Sequence, residues 1–214
     1  MIQMVAVWAL PTLFAITVHE VAHGWVARRL GDPTAMMLGR LTLNPLKHID
    51  PIGTVAVPIL LLVLSQGHMV FGWAKPVPIT AENLKHPKRG MALVAAAGPL
   101  SNLIMALLWA LVVKLVSVMS GGVVGAALPL IYMGIAGISI NILLMVLNLL
   151  PVPPLDGSRV VAGFLPDPIA WKYGRLEQYG LLILLALMAT GFLGKLMGPP
   201  MMWVENLIYR LIGI

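Results

Sequence analysis

The chain has 214 residues, of which 59% are hydrophobic and 10% are charged, with a mean hydropathy of +0.94 and a formal net charge of +6. Soluble domains carry about 25% charged residues, so this composition excludes an ordinary soluble protein and predicts an all-α polytopic membrane protein. The absence of cysteine excludes disulfides and thiolate metal sites. No basic run is long enough to bind nucleic acid, so the positive charge favours contact with the headgroups of the lipid bilayer.

The first predicted helix covers residues 4–30. Its apolar part, residues 4–27, contains no lysine or arginine and is long enough to cross a bilayer. The helix ends at Arg28 and Arg29, and the Gly-Asp-Pro sequence after them stops it. Two arginines favour a cytoplasmic end. We expect the segment to remain as a helix, because it has neither the basic start nor the cleavage site of a signal peptide.

This helix carries the sequence His19-Glu20-Val21-Ala22-His23. Residues four apart lie on one face of a helix, so His19 and His23 can bind one Zn²⁺ while Glu20 transfers protons. Ionisable side chains at membrane depth are costly and are usually functional. The motif therefore predicts a zinc-dependent hydrolase.

Residues 34–54 lose the helical periodicity. Alternating residues around 37–43 suggest a short extended stretch, with turn signals at Asn44-Pro45 and Asp50-Pro51. Two interpretations are open: an interfacial loop, or an edge strand that pairs with an unwound protein substrate.

Residues 52–73 could either span the membrane or enter and return. If they span, lysines and arginines divide almost evenly between the two sides. If they do not, 12 of the 14 fall on one side and only Lys114 and Lys195 lie opposite. The positive-inside rule favours the uneven distribution, so we predict a re-entrant or shallow segment.

Further helices are predicted at residues 90–119 and 125–150, separated by a turn at 120–122. The second ends at Pro151, Pro153 and Pro154, which break a helix, and Asp156-Gly157 can begin a new helical piece. Two more helices follow at about 179–196 and 201–212. The chain thus has room for about five to six transmembrane helices in a single membrane-embedded domain, residues 1–214.

Two histidines leave a catalytic zinc one protein ligand short. Among the remaining acidic residues, only Asp156 lies on a proline-broken stretch that continues a membrane helix. If residues 52–73 do not cross, the helices leading to His23 and to Asp156 run parallel and can bring these ligands to a similar depth near the cytoplasmic face. Asp156 is therefore the predicted third ligand.

Several motifs together resemble the site-2 protease family of zinc intramembrane metalloproteases, in the form typical of its short bacterial and archaeal members. They are His19-Glu20-x-x-His23, Gly98-Pro99-Leu100-Ser101-Asn102, Asn148-x-x-Pro151-x-x-x-x-Asp156-Gly157, Asn44-Pro45-Leu46-x-His48-Ile49-Asp50-Pro51-Ile52-Gly53 and Phe71-Gly72-Trp73-Ala74-Lys75-Pro76-Val77-Pro78. The motif core covers about residues 4–165, and the C-terminal helices at about 179–212 lie outside it.

The resemblance implies a protease that cuts transmembrane segments of other membrane proteins, often in signalling and after a first protease has acted. His19, His23 and Asp156 would hold one Zn²⁺ per chain, and Glu20 would activate water. Asn148 would bind the substrate backbone, and Asn102 would act similarly. The expected location is the cell membrane, with the active site nearer the cytoplasmic face. We expect no PDZ or CBS domain within these 214 residues, because they leave no room for one.

Two other functions are alternatives. A membrane-anchored metalloprotease with a cytosol-facing site would need Glu177 or Glu205 as its third ligand, but neither has a surrounding motif. A metal transporter could use His19, Glu20, His23 and Asp156 as a transit site, but the chain has no inverted repeat. Nothing in the sequence indicates an oligomeric state.

Overall fold

The computed structural model describes residues 2–66, 72–119 and 127–213, with only the backbone described for residues 2–6. Within these ranges all regular elements are helices and no strand is present, which confirms the all-α prediction. The predicted turn at 120–122, and Gly67, His68 and Phe71, lie outside the described residues. The α-helices are α1 (Ile2–Leu30), α2 (Thr34–Met37), α3 (Val57–Leu64), α4 (Pro87–Met119), α5 (Leu128–Leu149), α6 (Asp156–Phe164), α7 (Asp167–Gly174), α8 (Gly180–Ala189) and α9 (Phe192–Ile212).

Length and apolar composition identify candidate membrane spans within the described part of the chain. Helices α4 and α5 qualify individually. The segment Asp167–Ala189 and helix α9 qualify only as a pair, and they are bent by 83° where Gly191 adopts a φ of 69°. The chain is therefore a helical membrane protein with two or three such spans among these residues, and the count of five to six stays a prediction.

The segment after α1 differs from one of the two interpretations of its sequence. Residues 34–37 form the short helix α2, and Gly39 has a φ of 63°, a left-handed conformation that turns the chain. The predicted edge strand at 37–43 is therefore wrong, and the loop interpretation is favoured.

The π-helical turn Pro51–Ala56 and α3 form one apolar helix, Pro51–Leu64. At 1.5 Å per residue it is about 21 Å long, shorter than a bilayer core of about 30 Å. Its length is compatible with a segment that does not cross.

The core lies where α4 and α5 pack together, with α1 against both and α6 against α4. Small side chains on α4, Ala106 and Ala110, face Ile138 and Ile142 of α5, and all four are at most 1% exposed. Small residues allow two helix backbones to approach closely, which is how helices associate where lipid replaces water. This packing brings α1, α4, α5 and α6 together around one point.

Asp32 follows α1 and links the end of that helix by hydrogen bonds to Thr80 and Asn83. Its carboxylate is fully buried and accepts hydrogen bonds from Thr34 N and Oγ1, from Thr80 N at 2.7 Å and from Asn83 Nδ2 at 3.0 Å. Burial raises the pKa of this carboxyl, but the hydrogen bonds from Asn83, Thr34 and Thr80 lower it more, so the pKa lies below its ordinary value.

Replacing Asp32 with alanine is expected to lower the free energy of unfolding by about 1 to 3 kcal/mol at neutral pH, because four hydrogen bonds to a buried carboxylate are lost. The folded-state pKa is the lower one, so the contribution is full above the unfolded pKa and is lost as pH falls through the folded value. Unfolding should be measured in detergent from pH 7 into the acid range. The difference in unfolding free energy between the wild type and Asp32→Ala should become smaller as the pH falls. Asp167→Ala is the control, because it removes an exposed carboxylate; an equal effect at both positions would contradict this role.

Candidate metal centre

Two histidines of α1 form one side of a buried cluster. His19 and His23 are one helical turn apart, and each is 7% exposed. Their rings meet edge to face with centroids 4.6 Å apart, and their Nε2 atoms are 3.0 Å apart. The predicted helix therefore presents both imidazoles to the same point.

Asp156 completes the cluster from the first residue of α6. Its Oδ2 atom lies 3.1 Å from His19 Nε2 and 3.3 Å from His23 Nε2. The prolines at 151, 153 and 154 end α5, and Gly157 then packs against that end. A Cβ at Gly157 would lie 2.3 Å from the Leu149 carbonyl oxygen, so only glycine lets α6 start this close. The broken helix thus delivers the carboxylate to the histidines.

The other ring nitrogens of the histidines fix their tautomers. His19 Nδ1 lies 2.6 Å from Asn102 Oδ1, and His23 Nδ1 lies 2.7 Å from the Val94 carbonyl oxygen. Both partners are oxygen acceptors, so each Nδ1 carries the proton and donates it. In the neutral form of each ring, Nε2 therefore presents a lone pair to the cluster.

With both imidazoles neutral, three electron-pair donors face one another: the two Nε2 atoms and Oδ2 of Asp156. Oδ2 of Asp156 is buried and receives no hydrogen bond from any described residue, although both Nε2 atoms are within ion-pair distance. The three ligand atoms lie within 4.8 Å of one another. A bound cation would relieve this arrangement, and two imidazoles with one carboxylate suit zinc. The residues present therefore fit a zinc ion.

Gly98 of α4 keeps the space beside the rings open. A Cβ at this position would lie 2.4 Å from His23 Nε2 and 2.6 Å from His19 Nε2. Real Cβ atoms do not approach this closely, and the rings are held at Nδ1, so they cannot easily move away. Residue 98 must therefore be glycine, because any side chain there would collide with the Nε2 atoms of both imidazoles.

Glu20 is oriented by a backbone group that the sequence analysis did not identify. Its Oε2 atom accepts a hydrogen bond of 2.8 Å from Val77 N. Val77 is 5% exposed and lies in a non-helical segment, which is held by the hydrogen bonds Trp73 N to Gly53 O and Lys75 N to His48 O. In the sequence this segment belongs to the motif Phe71 to Pro78, and its alternating prolines, Pro76 and Pro78, disfavour a helix, but neither feature indicates a bond to Glu20.

The comparison with known proteins agrees with this chemistry. Over 179 residues the chain is 38% identical to the Bacillus subtilis protein named putative zinc metalloprotease YwhC, a match that covers 83% of this chain and 78% of that protein. The chain belongs to the site-2 protease family. This site-2 protease is accordingly a membrane zinc metalloprotease.

Two mycobacterial relatives named putative zinc metalloprotease Rip2 match more of this site-2 protease. The Mycolicibacterium smegmatis protein is 28% identical over 209 residues, covering 97% of the chain and 72% of the relative. The Mycobacterium tuberculosis protein is 27% identical over 214 residues, covering 100% and 74%. No family model and no solved structure matches the chain.

The remaining candidate residues of this site-2 protease bond to groups outside the His19, His23 and Asp156 cluster. Asn148 is in the last turn of α5, where its Nδ2 atom donates to the Leu144 carbonyl oxygen at 2.9 Å. Glu177 pairs with Arg159 at 3.2 Å, and Glu205 accepts from Ser139 Oγ at 2.9 Å. Neither glutamate belongs to a potential metal group among the described residues, so nothing in the described structure supports the cytosol-facing alternative.

Proposed function

We propose that this protein is an intramembrane protease that binds one zinc ion per chain through His19, His23 and Asp156 and uses Glu20 as its general base. The observation that carries the proposal is the convergence of three potential ligand atoms from α1 and α6, with Nδ1 of each histidine bonded to an oxygen acceptor so that Nε2 of the neutral ring is left for the metal. Glu20 is adjacent to His19 on the same helix, which makes it the carboxylate best placed to serve this group.

The chemistry follows from these positions. When bound, zinc supplies a Lewis acid that lowers the pKa of water and polarises a peptide carbonyl. Glu20 would take the proton from the attacking water and pass it to the leaving nitrogen. The Val77 N–H holds Glu20 Oε2, so the carboxylate keeps one orientation during both transfers. Asn148, near the break between α5 and α6, would hold the substrate backbone by hydrogen bonding.

The substrate class we propose is a transmembrane segment of another membrane protein. The cluster is buried among apolar helices, two of which are long enough to cross a bilayer, so an apolar chain can approach it without leaving the membrane. We further propose that the enzyme resides in the cell membrane with its site nearer the cytoplasmic face, and that it acts in regulated proteolysis after a first cleavage. The uneven predicted distribution of lysine and arginine supports this orientation.

The test is cleavage of a single-span model substrate by the purified chain in liposomes, with the fragments mapped by mass spectrometry. We expect a cut inside or next to the apolar segment. A zinc chelator should stop cleavage, and added Zn²⁺ should restore it.

A soluble control peptide that contains only the polar sequence beside the apolar segment distinguishes the intramembrane protease from the cytosol-facing protease. Cleavage of this soluble peptide alone would contradict the intramembrane proposal and favour a cytosol-facing site. Transport of Zn²⁺ into sealed liposomes without cleavage of either substrate would favour a carrier.

A further inference from the structure

Asn102 and Asn141 form a buried hydrogen-bonded pair that ends on His19. Asn102 is on α4, Asn141 is on α5, and neither side chain has any exposed surface. Asn102 Nδ2 donates to Asn141 Oδ1 at 2.9 Å, and Asn102 Oδ1 lies 2.6 Å from His19 Nδ1. Two buried amides in a core of small and aliphatic side chains are costly unless every polar atom is paired.

The polarity of this chain of hydrogen bonds is set by backbone carbonyls. Asn141 Nδ2 faces the Gly137 carbonyl oxygen at 2.8 Å, which can only accept, so Asn141 must turn its Oδ1 toward Asn102. Asn102 must then present Nδ2 to Asn141 and to the Ala15 carbonyl oxygen at 3.3 Å. Its Oδ1 is left for His19, which can bond to it only with a proton on Nδ1. In a neutral His19 the lone pair is thereby on Nε2, facing His23 and Asp156.

We propose that Asn102 and Asn141 are positioning residues that fix the tautomer and the ring orientation of His19 for metal binding. The proposal rests on the proposed binding of zinc by His19. All the hydrogen-bonding atoms of Asn102 are used inside the protein, so its role is to orient a ligand instead of binding the substrate backbone. Asn141 acts through Asn102, because its Oδ1 holds Asn102 in the required amide orientation.

The two histidines have the same tautomer, but different kinds of acceptor fix it: a backbone carbonyl for His23 and a side-chain amide for His19. His23 Nδ1 donates to a backbone oxygen of Val94, which no side-chain substitution removes. His19 depends on a side chain from another helix, so its orientation can be changed by mutation and also requires α4 to be correctly packed on α1. This difference makes the role of Asn102 testable in isolation.

The experiment measures zinc affinity of the full chain in detergent by competition with a chelator, together with the visible absorption spectrum of the Co²⁺-substituted protein. Asn102→Leu keeps the number and branching of the side-chain heavy atoms, although it is larger, and accepts no hydrogen bond. We expect about 10- to 100-fold weaker zinc binding and an altered Co²⁺ spectrum. Asn102→Asp keeps an acceptor for His19 although it loses the donor to Asn141 and to the Ala15 carbonyl oxygen, and it should bind zinc more tightly than Asn102→Leu.

Asn141→Leu tests the second residue without touching His19. It should weaken zinc binding less than Asn102→Leu, and the double variant should be no weaker than Asn102→Leu alone, because the two side chains act in series. Ser139→Ala is the control on the same helix: it removes the contact with Glu205 and should leave zinc affinity unchanged.

Wild-type zinc affinity in both Asn102→Leu and Asn141→Leu would overturn the inference. An equal loss in Asn102→Asp and Asn102→Leu would also overturn it, because the pair would then serve helix packing alone. If Asn102→Leu does not fold, Asn141→Leu decides by the same criterion. A wild-type chain that binds no zinc would instead contradict the proposed function, so the two failures are distinguishable.

Discussion

Replacing Gly98 with alanine is expected to reduce zinc content and proteolysis to the level of the chelator-treated protein. The added methyl group would lie 2.4 Å from His23 Nε2 and 2.6 Å from His19 Nε2, on the side of the rings that faces the metal. Neither ring can swing away without breaking its bond to Val94 or Asn102. The methyl group therefore takes the space that a metal ion needs.

Elemental analysis and the liposome cleavage assay measure this effect. Gly194→Ala is the matched control, because it adds the same methyl group to α9 where no atom lies within 4 Å. The control should retain full zinc and activity. A Gly98→Ala protein that binds zinc with wild-type affinity would mean that the metal does not lie between these imidazoles.

Glu20→Gln is expected to retain zinc but to cleave the substrate roughly 10² to 10⁴ times more slowly. A carboxamide has the shape of the carboxylate and can still accept the hydrogen bond from Val77 N, but it cannot take a proton from water. Zinc content and single-turnover cleavage should be measured on the same sample, so that loss of metal is not mistaken for loss of the base.

Glu82→Gln is a suitable control, because Glu82 is exposed and lies outside the cluster. It should behave as the wild type. Cleavage by Glu20→Gln at the wild-type rate would place the general base elsewhere. Loss of zinc together with activity would mean that Glu20 holds the metal or the fold. Zinc retention without cleavage is the result that distinguishes a protease from a carrier.

The parts of the site that follow a helical period could be predicted from the sequence. Spacing alone places His19 and His23 on one face of α1, and the proline-broken end of α5 singled out Asp156. Both predictions depend on local rules. Residues four apart lie on the same face of a helix, and proline cannot continue a helix. The structure brings these three residues within 4.8 Å.

The residues that orient this group could not be predicted in the same way. Asn141 belongs to no motif, and its contact with Asn102 depends on how α5 packs on α4. The bonds from Val77 N to Glu20 and from His23 to the Val94 carbonyl use backbone atoms, which leave no trace in residue identity. The edge-strand interpretation of residues 37–43, one of the two that the sequence left open, is wrong because periodicity does not reveal that Gly39 adopts a left-handed conformation.

Locating the metal by crystallography tests directly whether His19, His23 and Asp156 bind zinc. Crystals of the purified chain should be measured on both sides of the zinc absorption edge. Zinc held by His19, His23 and Asp156 should give one anomalous peak per chain, about 2.0 Å from His19 Nε2 and His23 Nε2 and in contact with Asp156 Oδ2. A zinc peak at another set of residues, or a peak that contacts the histidines without Asp156, would contradict this prediction.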